Sequence, residues 1–148
     1  MTLLPTLMML TQRLQPSLNY QDGLGWTLWM VGFAIEVLAD HQKSQFRSHP
    51  TNHEKFISTG LWSRSRHPNY FGEILLWYGL FITASSTFTK WYQYLSILSP
   101  TFVYLLITRK TGIPLLERYG QRKWGHTGNY KKYLRETPVL IPTLLRRR

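Results

Sequence analysis

The sequence predicts an all-α integral membrane bundle of about three transmembrane helices with a basic cytoplasmic C-terminal tail. Three observations predict it. Apolar stretches of near-membrane length alternate with polar segments. Aromatic residues, 15% of the chain, gather at the edges of those stretches. The charge is confined to blocks: of the 18 Lys and Arg, five fall between His41 and His67 and eleven follow Thr108, leaving Arg13 and Lys90 elsewhere. A net charge of +11 could signal a nucleic-acid partner. Alternation of basic blocks with apolar spans is better explained by the positive-inside rule, so no nucleic acid is expected and the N-terminus is placed outside, the C-terminus inside.

The 148 residues are read as a single membrane domain. The first span covers residues 24–39, opened by the turn signal Asp22-Gly23 and edged by Trp26 and Trp29. It is short of the roughly 20 residues a bilayer requires. The helix is therefore expected to continue past Asp40 into the basic residues 43–47 and to stop at the loop containing Pro50 and Asn52. A second span starts at Pro68, which suits a first helical position because its absent N–H has no intrahelical partner there, and runs to Ser85, with a turn at Ser85-Ser86-Thr87. The third, residues 91–108, opens on Trp91, Tyr92 and Tyr94, is expected to kink at Pro100, and closes on Arg109 and Lys110. Short amphipathic helices are expected over residues 115–122 and 130–134, before Pro138, Pro142 and Arg146-Arg147-Arg148. Residues 2–10 lack the basic start and small-residue cleavage site of a signal peptide. Residues 1–19 read as a short N-terminal remnant. With no cysteine, neither a disulfide framework nor a thiolate metal site is available. His49 and His53 have metal-ligand spacing, but Pro50 lies between them and no third ligand is near, so no metal is expected.

Three groups of residues could carry chemistry. Glu36, Asp40, Lys43 and Arg47 follow one another at helical intervals on one face. An ionisable group inside a span needs a cavity or a partner, which makes Glu36 a functional candidate; an internal ladder of ion pairs is the plainer explanation of the same spacing. The second group, Arg64, Arg66, His67, Asn69 and Glu73, surrounds a helix entrance. Unpaired N–H groups at a helix N-terminus, arginines and a histidine form an anion site suited to phosphate. Asn69 and Glu73 share one face, with Glu73 inside the apolar run. Lipid headgroup binding would account for the arginines but not for that pair. The third group comprises Glu117, Arg118, Tyr119, Lys123, Trp124, Tyr130, Tyr133 and Arg135, and alone it reads as an interfacial basic and aromatic segment.

The run Ser65-Arg66-His67-Pro68-Asn69-Tyr70-Phe71-Gly72-Glu73 resembles the steroid 5-alpha-reductase C-terminal family, most closely its DUF1295 branch. The likeness extends to Glu36-Val-Leu-Ala-Asp40-His-Gln-Lys43, Thr59-Gly-Leu-Trp62, Gly112-Ile-Pro-Leu-Leu-Glu117, Tyr130-Lys-Lys-Tyr133 and Pro138-Val-Leu-Ile-Pro142, so it covers nearly all of residues 20–145. The resemblance implies a membrane reductase that binds NADPH in a pocket facing the cytoplasm and passes hydride to a conjugated carbon–carbon double bond of a lipid-soluble substrate. Carried over by motif position, Asp40 and Arg47 look like the acidic and basic residues of the family's cofactor helix. Asn69 and Glu73 look like its amide and carboxylate near the nicotinamide. Arg66, His67, Tyr70, Lys123, Tyr130 and Tyr133 would line the phosphate and ribose side. An anionic diphosphate calls for Arg or Lys, and the protein's part is to orient the nicotinamide.

Family members generally carry several more helices before this point, and in the steroid reductases the groups that polarise the substrate carbonyl come from that half. The chain is therefore expected to be either a fragment or a shortened relative, and no catalytic residue is assigned. Isoprenylcysteine carboxyl methyltransferases, more distant relatives that use S-adenosylmethionine, share an Arg-His-Pro-x-Tyr core; Asn69 followed by Glu73 favours the reductase. A non-catalytic membrane scaffold or lipid-binding remnant is the third reading.

Overall fold

A computed structural model describes residues 18–143, and every regular element among them is helical. The all-α expectation is met. Residues 2–10, most of the remnant over 1–19, and Arg146, Arg147 and Arg148 lie outside the described residues.

Helix α1 spans Tyr20–Ser48, 29 residues, or about 43 Å at the rise of an α-helix. It passes Asp40 and ends in basic residues as the sequence predicts. Its start differs from the expected turn. Asn19 is the N-cap: its side-chain oxygen accepts from the Asp22 N–H at 3.1 Å, and the Asp22 carboxylate accepts from the Asn19 N–H at 3.0 Å. This reciprocal capping box draws Asp22 and Gly23 into the first turn. At the far end the Asn52 amide donates to the carbonyl of Phe46 at 3.0 Å, covering one of the unpaired carbonyls there. Among the described residues, α1 is the one helix long and apolar enough to cross a membrane.

Helix α2, Pro68–Ser85, has the predicted bounds. It packs along α1 through small residues seven apart, a spacing of about two helical turns. A Cβ on Gly32 would come within 2.6 Å of the Gly72 carbonyl oxygen, and one on Gly72 within 2.5 Å of the Gly32 oxygen; Gly25 and Gly79 meet in the same way. Close backbone approach of this kind is how helices associate where lipid removes the hydrophobic drive between them. Ala39, fully buried, continues the row on α1. On the opposite side Trp26, Met30, Phe33 and Val37 are exposed.

The third predicted span is helical, but not as one kinked α-helix. A 3-10 segment Trp91–Ile97 leads into α3, Leu98–Leu105, followed by a π-turn Leu106–Lys110. Pro100 is buried as the third residue of α3. The 3-10 segment runs into α3 through the helical Ile97 (φ −58°, ψ −22°), so the change of helix type comes two residues before the proline. Pro100 thus sits at a helix start, and the break falls before it. Helices α4, Ile113–Trp124, and α5, Gly128–Glu136, enclose the expected amphipathic stretches. The following chain folds back on the entrance to α2. The Arg66 N–H donates to the Pro138 carbonyl at 2.9 Å, the Thr143 N–H to Arg64 at 3.1 Å, and the fully buried Ser65 hydroxyl to Leu140 at 2.7 Å.

Candidate functional site

Arg66 and His67 immediately precede α2, where Pro68 keeps His67 out of helical conformation (φ −137°, ψ 62°). Their side chains meet Glu117, which α4 carries one turn beyond its start. One carboxylate oxygen accepts from the Arg66 guanidinium and the other is 2.7 Å from Nε2 of His67. Partial burial raises the Glu117 pKa, but the His67 hydrogen bond and the Arg66 charge outweigh it and hold the carboxyl below its usual range.

These three residues wall a cavity of about 110 Å³, room for several waters or a phosphate-sized group. Lys43, Arg47 and Lys55 add three cations to its lining, and Phe46, Phe56, Trp62, Trp124, Tyr130 and Tyr133 make up most of the rest. Several of these rings are fixed by a partner. Trp62 donates Nε1–H to the Ala39 carbonyl at 3.0 Å, and Lys43 lies 5.0 Å over its ring. Tyr133 donates its hydroxyl to the Trp62 carbonyl at 2.7 Å; burial pushes the phenol well up, so it stays a donor. The Tyr130 hydroxyl fits against α4 only because residue 120 is glycine: a Cβ there would lie 2.1 Å from that oxygen. Phe56 sits edge-on to Tyr130 at 5.0 Å and to Trp124 at 5.9 Å. A broader polar recess of about 560 Å³ adjoins, sharing Lys55, Phe56 and Tyr133 with the cavity.

The residues expected in one site are divided between two places. Arg47, Arg66, His67, Tyr130 and Tyr133 line the cavity. Asp40, Asn69 and Glu73 form a separate seam along α1 and α2, where the Asn69 amide donates to Asp40 at 3.1 Å. Glu36 joins it, close enough to Asp40 and Glu73 to be repelled by both. Tyr70 connects the two places, its ring stacked on His67 at 5.8 Å. Lys123 does not line the cavity. It bonds to the His53 carbonyl at 3.2 Å and pairs with Glu54 at 3.4 Å, because the loop before Phe56 runs past the C-terminal end of α4. The ladder along α1 does not form either: Lys43 turns to Trp62.

Glu117 is the residue that sequence reasoning left out of the site. Its signal was a single carboxylate after the apolar run from Gly112 to Leu116. Lys43, Lys55, Phe56, Trp62 and Trp124 join the lining with it. Three buried polar atoms near the α2 entrance have no hydrogen-bond partner among the described residues: Nε of Arg66, Nδ1 of His67 and Oδ1 of Asn69. Buried atoms of this kind call for a ligand or water; the guanidinium, the imidazole and the cavity's lysines suit the phosphates of a dinucleotide, whereas the Asn69 oxygen is an acceptor and suits an N–H such as that of a carboxamide.

The chain matches, over residues 1–137, the family described as protein of unknown function DUF1295. It belongs to the DUF1295 family. Over 121 residues, 82% of its length, this DUF1295 chain is 27% identical to 3-oxo-5-alpha-steroid 4-dehydrogenase 1 of Rattus norvegicus. The match covers 41% of that relative, so the chain spans about two fifths of the relative's length. No solved structure matches. The family resemblance drawn from residues 65–73 and the segments around them is therefore correct.

Proposed function

We propose that this chain is an NAD(P)H-dependent membrane reductase acting on a carbon–carbon double bond of a lipid-soluble substrate, or the cofactor-binding half of one. The observation that carries the reading is the adjacency of two unlike surfaces at one helix entrance. A cavity with four Lys and Arg side chains and a wall of aromatic rings offers charge-assisted contacts to phosphate and flat faces to a base or ribose. The seam of Asp40, Asn69 and Glu73 offers amide and carboxylate groups of the kind a nicotinamide carboxamide pairs with. His67 and Tyr70 join them. When bound, the cofactor would supply the hydride; Lys43, Arg47, Lys55 and Arg66 would hold its phosphates, and Asn69 and Glu73 would orient its nicotinamide. The match to a 3-oxo-5-alpha-steroid 4-dehydrogenase supports a substrate of that general character, dissolved among membrane lipids.

In this reading α1, α2 and the helical run ending at Lys110 cross the membrane. The basic residues 43–47, α4, α5 and the C-terminus lie on the cytoplasmic side. The exposed Trp26, Met30, Phe33 and Val37 of α1 would meet acyl chains.

Equilibrium binding of NADPH, NADH and S-adenosylmethionine to detergent-purified protein tests it. NADPH binding is expected, weakened roughly tenfold by Asn69→Ala or Glu73→Ala, with membrane insertion unchanged. Unaltered NADPH affinity in both variants would remove the seam from the site. Binding of S-adenosylmethionine alone would place the chain with the methyltransferases, and binding of none would leave the scaffold.

A further inference from the structure

The cavity holds one group that its proposed anionic occupant does not explain, a carboxylate among cations. Four Lys and Arg side chains and one histidine line it against a single carboxylate, Glu117. Glu117 is not at the rim opposite the cations. It spans Arg66 and His67, one oxygen on each, which is the two-pronged grip by which a phosphate or carboxylate ligand is held. The grip is incomplete. His67 is only 5% exposed, yet its Nδ1 has no partner among the described residues, and neither does the buried Nε of Arg66. A single tethered carboxylate thus satisfies one nitrogen on each residue and leaves Nε of Arg66 and Nδ1 of His67 unmet. The Glu117 side chain itself is 28% exposed against 6% for His67, so the carboxylate stands on the open side and has solvent to move into.

We propose that Glu117 is a displaceable internal counter-anion: it occupies the seat of an incoming phosphoryl group and sets which anions can take that seat. A tethered group competes at a high effective concentration. A free monoanionic carboxylate offers Arg66 and His67 nothing that Glu117 does not already give them, and it cannot win. A diphosphate carries more charge and more acceptor oxygens, reaches the unmet nitrogens, and engages Lys43, Arg47 and Lys55, which Glu117 does not. Glu117 in these terms sets a threshold that every incoming anion must clear, and polyanionic phosphate esters clear it because they also engage Lys43, Arg47 and Lys55. The same residue braces the empty fold and opposes binding. This inference rests on reading the cavity as an anion site, and inorganic pyrophosphate probes it independently of any nucleotide.

The test is titration of wild type, Glu117→Gln and Glu117→Asp in detergent with inorganic pyrophosphate, acetate and NADPH, following tryptophan fluorescence, since Trp62 and Trp124 line the cavity. Glu117→Gln is expected to bind pyrophosphate and NADPH roughly tenfold more tightly than wild type, one charge-assisted competitor having been removed, and to gain measurable affinity for acetate. Glu117→Asp, whose shorter side chain grips less well, falls between them and decides the matter where the Gln variant does not fold. Weaker or unchanged pyrophosphate affinity in the folded variants overturns the proposal and makes Glu117 a brace only; NADPH binding that persists there leaves the proposed function standing. Tighter pyrophosphate binding without any NADPH binding supports the counter-anion and removes the dinucleotide. Binding of neither anion to any form overturns both.

Discussion

In the cavity, opposite charges are brought into contact: Glu117 lies partly exposed between the more deeply buried Arg66 and His67. Along the seam, like charges are gathered: the carboxylates of Glu36, Asp40 and Glu73 lie near one another, and among the described residues the Asn69 amide on Asp40 is the side-chain hydrogen bond that joins the two helices there. The first arrangement stabilises the protein as it stands. The second is costly between apolar helices and is retained only if something else pairs with it. The contrast teaches that internal pairing and site function are separable. A paired cluster tells where the fold is braced, whereas an unpaired one marks where a ligand or another helix is owed.

The largest effect is expected where both regions share a support. Gly32→Leu would drive a side chain into the Gly72 carbonyl, only 2.6 Å from the position of its Cβ, and the backbone cannot yield as a side-chain tip can. Overpacking typically costs about 1–3 kcal/mol, and more where helices must part. Loss of a monodisperse folded peak in detergent, with loss of binding at both surfaces, is the expected result. A well-folded variant would show that the two regions do not depend on this crossing.

Arg66→Ala should separate the regions. It removes the cavity's central cation and leaves Glu117 half-buried beside His67 alone. Truncating one member of a desolvated charge pair costs about 2–5 kcal/mol in related settings, so NADPH affinity is expected to fall by more than in Asn69→Ala. Equal losses in the two variants would mean that the seam and the cavity act as one cluster. Tyr133→Phe is a smaller perturbation: it deletes the 2.7 Å bond to the Trp62 carbonyl at a cost of about 1 kcal/mol in stability, read as a lower melting temperature with the seam's behaviour unchanged.

The two regions were also unequally legible in the sequence. The seam is local: Asp40 lies one turn from Glu36, and Asn69 one turn from Glu73, so helical periodicity places each pair on a face, and the close-packed glycines bring the faces together. The ends of α2 were legible for the same reason, Pro68 and Ser85 being local signals. The cavity is not local. Its central contact joins His67 to Glu117, 50 residues apart, and no periodicity reports which charged group of a later helix returns to an earlier entrance. Lys123 was drawn into the site by its motif, yet it faces away, because what decides its position is the loop at His53 and Glu54. Pro100 misled in the opposite sense. Its effect depends on its place within a helix, and the change from 3-10 to α at Leu98, which sets that place, has no sequence mark.

The smallest effect at neutral pH sharpens the comparison most directly. Glu117 has a folded-state pKa below its ordinary value of 4.5, because the His67 hydrogen bond and the Arg66 charge outweigh the cost of burial. A carboxyl with a depressed folded-state pKa contributes stability that is fully present above its unfolded value and is lost as pH falls through the folded one. Wild type should therefore be more stable than Glu117→Gln at pH 7; the difference should begin to shrink near the ordinary value of 4.5 and close once the pH is below the lower folded-state value, where the protonated acid and the amide become electrostatically alike. Melting temperatures of both proteins in detergent, taken from pH 7 downward, give the difference curve. A difference that stays constant with pH would mean that the Gln variant loses packing rather than charge, and that the contacts with Arg66 and His67 add nothing to the fold. A difference that shrinks on acidification, together with tighter anion binding in the same variant at pH 7, would show one carboxylate stabilising the empty cavity at the expense of the filled one.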